Sequence, residues 1–182
     1  MRRLSRDFSY TIHKVTDYAE FLSEYVKIVQ ASGKSWKAKI GRDLKMDQAM
    51  RNFLDDCALF ASESGMLELW ILKIRDQVGA FIYCLHHRNR LCGLFVDYDQ
   101  EYSYYSPGSI LQYHMMEDLY KRDGEWEYDM CGQVYDYKLK WVDKIRDHVT
   151  IIGCPKTIYG KFVFSYNKYP YPHIKKYARR PQ

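Results

Sequence analysis

The stretch between residues 91 and 141 constrains the fold of this chain more than any other part. An apolar, strand-like run at residues 91–96 leads through a tyrosine-rich loop into Ser106-Pro107-Gly108-Ser109, and a helical pattern follows from Ile110 to about Arg122. A strand that turns through serine and glycine into a helix presents free backbone N–H groups and the positive end of the helix dipole. Such a turn suits a phosphate or pyrophosphate, although a helix start that binds no ligand has the same pattern.

The Ser-Pro-Gly-Ser turn contains residue types that such a site needs. Gly108 lets the backbone approach a ligand closely. Pro107 fixes its own φ and predicts an extended conformation for Ser106. The hydroxyl of Ser106 or Ser109 can cap the helix or donate to a phosphate oxygen.

The 182 residues suit one domain with its own core, and apolar periodicity predicts seven strands and four helices. The predicted strands lie at residues 8–15, 67–74, 78–85, 91–96, 125–130, 149–152 and 158–164. The predicted helices lie between the Asp17 cap and Gly33, and at residues 47–64, 110–122 and 136–147. Short connections make the second to fourth strands an antiparallel meander.

The composition argues against several classes of protein. The net charge of +5 is scattered, with no basic stripe interleaved with aromatics, so no nucleic-acid partner is predicted. No apolar run approaches the ~20 residues of a membrane helix, so no membrane span is predicted, and no apolar segment follows the basic N-terminus as in a signal peptide. Five cysteines, far apart and without a C-x-x-C pair, indicate reduced thiols in a cytoplasmic protein and no metal site.

Further motifs surround the turn: Asp97-Tyr98 before it, Tyr128-Asp129 and Tyr137-Lys138 after it, and Ser35-Trp36-Lys37 ahead of the second helix. With the order of elements, they resemble the GNAT (Gcn5-related) acyl-CoA N-acyltransferases. Within these, they resemble the branch of bacterial cellulose and exopolysaccharide acetyltransferases, which is related to the Fem-type aminoacyltransferases. The resemblance covers residues 8–165 and implies an α/β GNAT fold, with a mixed, mostly antiparallel central sheet flanked by helices.

The resemblance also implies a co-substrate, acetyl-coenzyme A (acetyl-CoA), and no metal. Its pantetheine arm would pair with the exposed backbone of the fourth strand, and its pyrophosphate would meet the amides at the start of the following helix. The implied cofactor-binding residues are Val96, Asp97, Ser106, Pro107, Gly108, Ser109 and Ile110.

Three residues are implied to act in catalysis. Asp129, expected at the end of the fifth strand, would orient or deprotonate an ammonium acceptor. Tyr137 would protonate the departing sulfur, and Lys138 would bind a phosphate or an acidic acceptor. A helix-loop cap for Asp129, and packing or surface roles for Tyr137 and Lys138, remain open alternatives.

The sequence therefore predicts an N-acyltransferase that moves an acetyl group from a coenzyme A thioester to a small-molecule amine, either an amino sugar or another envelope or exopolysaccharide precursor. Residues 1–167 are expected to form a single domain, and residues 168–182 an irregular basic tail. Two features differ from the resembled branch. The chain is similar to the C-terminal half alone, and the usual pyrophosphate loop, [Q/R]-x-x-G-x-[G/A], is replaced by Tyr104-Tyr105-Ser106-Pro107-Gly108-Ser109. A non-catalytic binding module, or half of an enzyme completed as a homodimer or by a partner GNAT-like chain, remains the alternative.

Overall fold

The computed structural model describes residues 2–132, 134–147 and 154–168, and the chain divides into two compact units, residues 1–138 and 139–182. The strands are β1 (Tyr10–Val15), β2 (Leu67–Ile74), β3 (Gln77–His87), β4 (Arg90–Tyr98) and β5 (Glu127–Asp129). The helices are α1 (Arg2–Asp7), α2 (Tyr18–Ser32), α3 (Gln48–Glu63), α4 (Pro107–Lys121), α5 (Asp136–Leu139) and α6 (Ile158–Lys168), with 3-10 helices at Trp36–Ile40 and Gln100–Tyr105. Within the described ranges, no helix has the length and apolar character needed to cross a membrane.

The five strands form one sheet in the order β1-β2-β3-β4-β5, antiparallel from β1 to β4 and parallel between β4 and β5. Arg75 and Asp76 join β2 to β3 with φ of 50° and 63°, the left-handed conformations that a tight two-residue hairpin needs. A parallel neighbour needs a longer crossover, which α4 supplies. The predicted α/β class, with a mixed and mostly antiparallel sheet flanked by helices, is confirmed.

Alternating side chains of β2 enter two apolar layers. Ile71 packs on one face of the sheet in a cluster with Phe21 of α2 and Leu54 of α3. Leu72 packs on the other face in a cluster with Leu111 of α4. All five of these side chains are at most 1% exposed. Burial on both faces explains why β2 has a nearly continuous apolar sequence.

The first long helix begins at the predicted cap Asp17, and the second begins beside Asp47, the residue at which its start was predicted. The carboxylate of Asp17 accepts a hydrogen bond from the N–H of Ala19 at 2.8 Å, and that of Asp47 accepts one from the N–H of Met50 at 2.9 Å. Each carboxylate satisfies a backbone donor that the first helical turn leaves without a partner. The predictions for α2 and α3 are therefore confirmed at their starts.

Two predictions for the C-terminal part are wrong. Residues 158–164, predicted as a strand, belong to α6, because the Thr157 hydroxyl accepts a hydrogen bond from the N–H of Gly160 at 3.0 Å and caps a helix. The helix predicted at 136–147 ends at Leu139. Leu139 and Ile145 are 46% and 63% exposed, so the apolar face that would stabilise a longer helix is not buried. The strand predicted at 149–152 and the tail from residue 169 lie outside the described residues.

A buried ion pair joins the end of α4 to the sheet. Glu68 of β2 is 1% exposed, and the guanidinium of Arg122 donates one hydrogen bond to each of its carboxylate oxygens, both at 2.7 Å. The indole N–H of Trp70 donates to the same carboxylate at 3.1 Å. Because a buried carboxylate is costly without such partners, Arg122 stabilises the packing of α4 against β2.

Replacement of Arg122 by methionine should therefore remove the two shortest hydrogen bonds of the buried Glu68 carboxylate and leave Lys14, at 3.9 Å, as its nearest lysine. We expect Arg122→Met to lower the free energy of unfolding by about 3–5 kcal/mol. The matched control is Arg90→Met, since Arg90 pairs with Glu127 at the surface at 3.3 Å, where loss of an ion pair costs about 0–1 kcal/mol. Urea denaturation measures both values, and equal losses would contradict the assigned role of Arg122.

Candidate active site

β4 is paired on both edges only near its start. It pairs with β3 from Arg90 to Tyr98, but with β5 only from Arg90 to Cys92. Among the described residues, no strand pairs with the other edge of residues 93–98. We call the opening between residues 93–98 of β4 and the end of β5 the fork.

The hydrogen-bond alternation of β4 determines which backbone groups face the fork. The N–H of Asp99 donates to the carbonyl of Gly79, near the start of β3, at 2.9 Å. Adjacent residues of an antiparallel strand direct their backbone groups to opposite edges. Asp97 therefore faces β3, whereas Val96 and Tyr98 direct their N–H and C=O groups into the fork.

Tyr128 covers the closed end of the fork. A Cβ atom on Gly93 would lie 3.0 Å from the Tyr128 hydroxyl, so only glycine leaves that ring in place. Burial raises the pKa of Tyr128 well above its usual value, and the phenol stays neutral. Gly93 thus lets β4 and β5 meet immediately before they separate.

The start of α4 differs in two ways from the prediction. Ser106 is left-handed, with φ 53° and ψ 55°, instead of extended, and neither predicted serine caps the helix through its side chain. The cause is local, since the Ser106 N–H donates to the carbonyl of Ser103 while its own carbonyl accepts from the N–H groups of Ser109 and Ile110. One residue thus ends a 3-10 helix and begins α4.

These bonds reduce the number of free amides at the start of α4. Ser109 and Ile110 already donate to Ser106, and Pro107 has no N–H, which leaves the Gly108 N–H as the free donor of this turn among the described residues. A Cβ on Gly108 would meet no atom within 4 Å. The space in front of Gly108 is therefore open, and the exposed hydroxyls of Ser106 and Ser109 lie beside it.

Asp97 is a buried anchor between β4 and the segment that follows α2. Its carboxylate, 1% exposed, accepts hydrogen bonds from the Ser32 hydroxyl at 2.8 Å, the Tyr98 N–H at 3.1 Å and the Ser35 side chain. Burial raises the pKa of Asp97, although Lys37 and these hydrogen bonds act in the opposite direction. The side chain of Asp97 is thus held by internal packing and its backbone groups face β3, so neither is directed into the fork.

Lys37 reaches the fork from the 3-10 helix after α2. Its ammonium donates to the carbonyl of Val96 at 2.5 Å and lies 4.2 Å from the centre of the Phe95 ring. The sequence motif Ser35-Trp36-Lys37 marked this residue without assigning it a role. Its position depends on the Asp97 anchor, a contact that joins segments 60 residues apart and that no local pattern reveals.

Asp129 and Lys138 meet at the turn after β5, on the opposite side of the fork. The Asp129 carboxylate accepts from the N–H of Cys131 at 2.8 Å. The Lys138 ammonium donates to the carbonyls of Met130, at 3.0 Å, and Cys131. Burial lowers the pKa of Lys138. Tyr137 is 50% exposed, so its phenol is accessible to a ligand.

Two cysteines that are far apart in sequence lie beside Asp129. The sulfur atoms of Cys92 and Cys131 and a carboxylate oxygen of Asp129 are all within 4.8 Å of one another. Burial raises the pKa of Cys131 to about 12 and also raises that of Cys92. Both thiols therefore hold their protons at neutral pH in the protein without a bound metal.

Comparisons with known proteins agree with this architecture. A family model for the acetyltransferase (GNAT) domain matches residues 1–139. An aminoglycoside acetyltransferase from an uncultured soil metagenomic sample has a TM-score of 0.55 at 9% identity, covering 82% of this chain and 99% of that chain. A second such enzyme, in complex with sisomicin, has a TM-score of 0.52 at 10% identity, covering 81% and 97%.

A GCN5-related N-acetyltransferase from Ralstonia eutropha JMP134 has a TM-score of 0.54 at 12% identity, covering 79% of this chain and 99% of that chain. At such identities the structural likeness shows the fold alone. No curated protein sequence matches this chain.

The raised pKa of Asp97 predicts how pH changes stability. The folded chain holds this proton to a higher pH than the unfolded chain, whose pKa is near the ordinary 3.8. The contribution of Asp97 to stability should therefore fall as pH rises from about 3 through the folded pKa, and Asp97→Asn should remove that fall. Chemical denaturation across this range measures it, with Asp17→Asn at an exposed helix cap as control. An unchanged pH profile in Asp97→Asn would contradict the expectation.

Proposed function

Because the chain belongs to the acetyltransferase (GNAT) domain family, we propose that it transfers an acetyl group from acetyl-CoA to the amine of an amino sugar or related envelope precursor. Acetyl-CoA is the co-substrate of this family. The observation that carries the proposal is the edge of β4 at residues 93–98, which no described strand pairs, beside the open start of α4. An extended chain with amide groups and a pyrophosphate suits these two features together.

The residues around the fork fit the two parts of coenzyme A. The pantetheine arm contains amides, which Val96 and Tyr98 would bind through backbone groups that β3 does not use. The pyrophosphate would accept from the Gly108 N–H and from the hydroxyls of Ser106 and Ser109, at the positive end of α4. The left-handed, uncapped Ser106 supports this assignment, since strained residues cluster at ligand sites.

Acetyl-CoA supplies the acetyl group as a thioester. In the transfer, the acceptor ammonium loses one proton to become a nucleophilic amine, and its nitrogen bonds to the carbonyl carbon and releases a second proton. The carbon–sulfur bond breaks and the sulfur leaves as a thiol after gaining one proton, while the other proton passes to solvent. We assign to the Asp129 carboxylate the orientation and deprotonation of the acceptor ammonium. Tyr137, whose phenol is half-exposed, is the proposed proton donor to sulfur, and Lys138 the proposed contact for an acidic group on the acceptor.

The acceptor class rests on two kinds of support. The motifs from Asp97-Tyr98 to Tyr137-Lys138 resemble the exopolysaccharide branch of the family. A protein of similar fold, at 10% identity, binds sisomicin, an aminoglycoside that presents amines on sugar-like rings. We place the reaction in the cytoplasm, since all five cysteines are free, as in a reducing compartment.

Gly108→Trp tests the cofactor site directly. The added ring would meet no protein atom at its Cβ, so the fold should persist while the space for a pyrophosphate is filled. We expect the dissociation constant of coenzyme A, measured by calorimetry, to rise about tenfold or more. Tyr120→Trp, at a position of the same helix that is 93% exposed, should bind as the unaltered protein does. Binding that is absent in the unaltered protein, or unchanged in Gly108→Trp, would refute the cofactor assignment.

Asp129→Asn tests the acid–base assignment. The amide keeps the shape of the side chain but cannot accept a proton, so we expect turnover with amino-sugar acceptors to fall about 10²–10⁴-fold. Affinity for coenzyme A should stay unchanged, because the carboxylate is assigned to the acceptor. The exposed Asp123→Asn serves as control, and release of free thiol from acetyl-CoA is the measurement. Full turnover in Asp129→Asn would leave the residue a turn cap only.

The same assay separates an enzyme from a non-catalytic GNAT-like module. The N–H groups of Ser109 and Ile110 already donate to the Ser106 carbonyl. Because these amides are then not available to a pyrophosphate, this observation favours the non-catalytic module. A module would bind its partner chain, or coenzyme A, without thiol release in any amine pool. An enzyme completed by a second copy would show a rate of thiol release per mole of protein that increases with protein concentration.

A further inference from the structure

The position of Lys37 is unusual for a structural lysine. Its side chain is 21% exposed, and burial lowers the pKa of its ammonium. Lysine is among the residues that most resist burial, since its charge is strongly hydrated. The partial burial of the Lys37 ammonium therefore needs a structural or functional explanation.

Pairing with Asp97 is not a sufficient reason. The Lys37 nitrogen is 4.0 Å from the nearer carboxylate oxygen, beyond hydrogen-bond length. Asp97 already accepts hydrogen bonds from Ser32 and from the backbone of Tyr98. The hydrogen bond of Lys37 goes instead to Val96, at 2.5 Å. The Lys37 ammonium thus bonds to the edge of β4 that faces the fork and not to the Asp97 carboxylate.

That carbonyl lies on the path of the proposed cofactor. A chain from the Gly108 turn, after β4, to Asp129, which is paired with Cys92, would pass along residues 98 to 93. Paired strands lie about 4.8 Å apart, so an arm beside Val96 would come within reach of an ammonium bonded to this carbonyl. If an amide of the arm donates to that carbonyl in place of Lys37, the ammonium becomes free to bond to an oxygen of the arm.

We propose that Lys37 is a catalytic residue of the transfer, whose ammonium stabilises the negative charge that develops on the thioester carbonyl oxygen. The inference rests on the proposed acetyl transfer and adds to it a residue from the segment after α2. The Lys37 ammonium keeps its proton throughout the transfer, and Asp129 across the fork accepts the proton of the acceptor. A partly desolvated cation is effective in this role, because little water must reorganise when charge develops beside it.

The chain offers matched variants for this role. Lys37→Met removes the charge and keeps most of the apolar stem, whereas Lys37→Arg keeps a charge near the same place. Lys39→Met is the control, since Lys39 is exposed in the same 3-10 helix. Lys37→Met alone could fail to fold because the Asp97 carboxylate loses a neighbouring positive charge. In that case the double variant Lys37→Met/Asp97→Asn is compared with Asp97→Asn, in which residue 97 has no charge.

The experiment measures thiol release from acetyl-CoA with glucosamine and sisomicin as probe acceptors, and coenzyme A affinity by calorimetry. We expect Lys37→Met to lower kcat about 10²–10³-fold, with coenzyme A affinity within about threefold of the unaltered protein. Lys37→Arg should recover part of the loss, and Lys39→Met should lose nothing. In the protein with isotope-labelled lysine, the signal that Lys37→Met removes should shift when acetyl-CoA is added.

Each contrary result has a distinct meaning. Turnover of Lys37→Met within about twofold of the unaltered protein would overturn the role of Lys37 and leave the acetyl transfer standing. Coenzyme A affinity that falls as far as turnover would make Lys37 a binding or structural residue and would equally overturn the proposal. If the unaltered protein binds no coenzyme A and releases no thiol, the acetyl transfer itself is refuted, and the role of Lys37 with it.

Discussion

Within the part of the chain that the structure describes, the edge of β4 beyond Cys92 has no strand partner, and the candidate site depends on this constraint. Buried backbone N–H and C=O groups need partners, and strand edges that lack them are normally covered or paired. β5 covers only the first residues of that edge before the chain turns at Cys131. The Val96 carbonyl accepts a hydrogen bond from the Lys37 ammonium instead of from a neighbouring strand. A ligand that brings its own amide groups can replace that cover without loss of backbone hydrogen bonds.

Asp97 connects β4 to the end of α2 and to the segment that follows it. Its carboxylate joins Ser32 at the end of α2 and Ser35 at the next helical turn to β4, and Ser32 also accepts from the N–H of Leu44 at 2.9 Å. A buried acid that is costly to ionise is kept because several donors converge on it. Packing on the helix side of the sheet and geometry at the fork are therefore set by the same side chain.

Local signals account for what the sequence could predict. The Asp17 and Asp47 caps and the apolar runs of β2 and β3 depend on neighbours in the chain, so α2, α3 and the meander follow from pattern alone. The helix α1 was missed because its six residues show no periodicity, although Leu4 is fully buried. In α6, aromatic and β-branched residues favoured a strand, whereas the Thr157 cap favoured a helix. The residues of the fork were named from motifs, but their use depends on contacts between distant segments. Ser106, Asp97 and Lys37 each needed the structure.

The protonated thiols beside Asp129 have a consequence for a reaction that starts from a thioester. A cysteine thiolate beside a thioester carbonyl can take the acetyl group while coenzyme A leaves as a thiolate, whereas a protonated thiol is a weak nucleophile. Burial raises the pKa of Cys92 and of Cys131, and Cys92 is the last residue of β4 that β5 covers. Burial at the closed end of the fork, where Tyr128 also stays neutral, would thereby keep these cysteines from competing with the acceptor amine for the acetyl group.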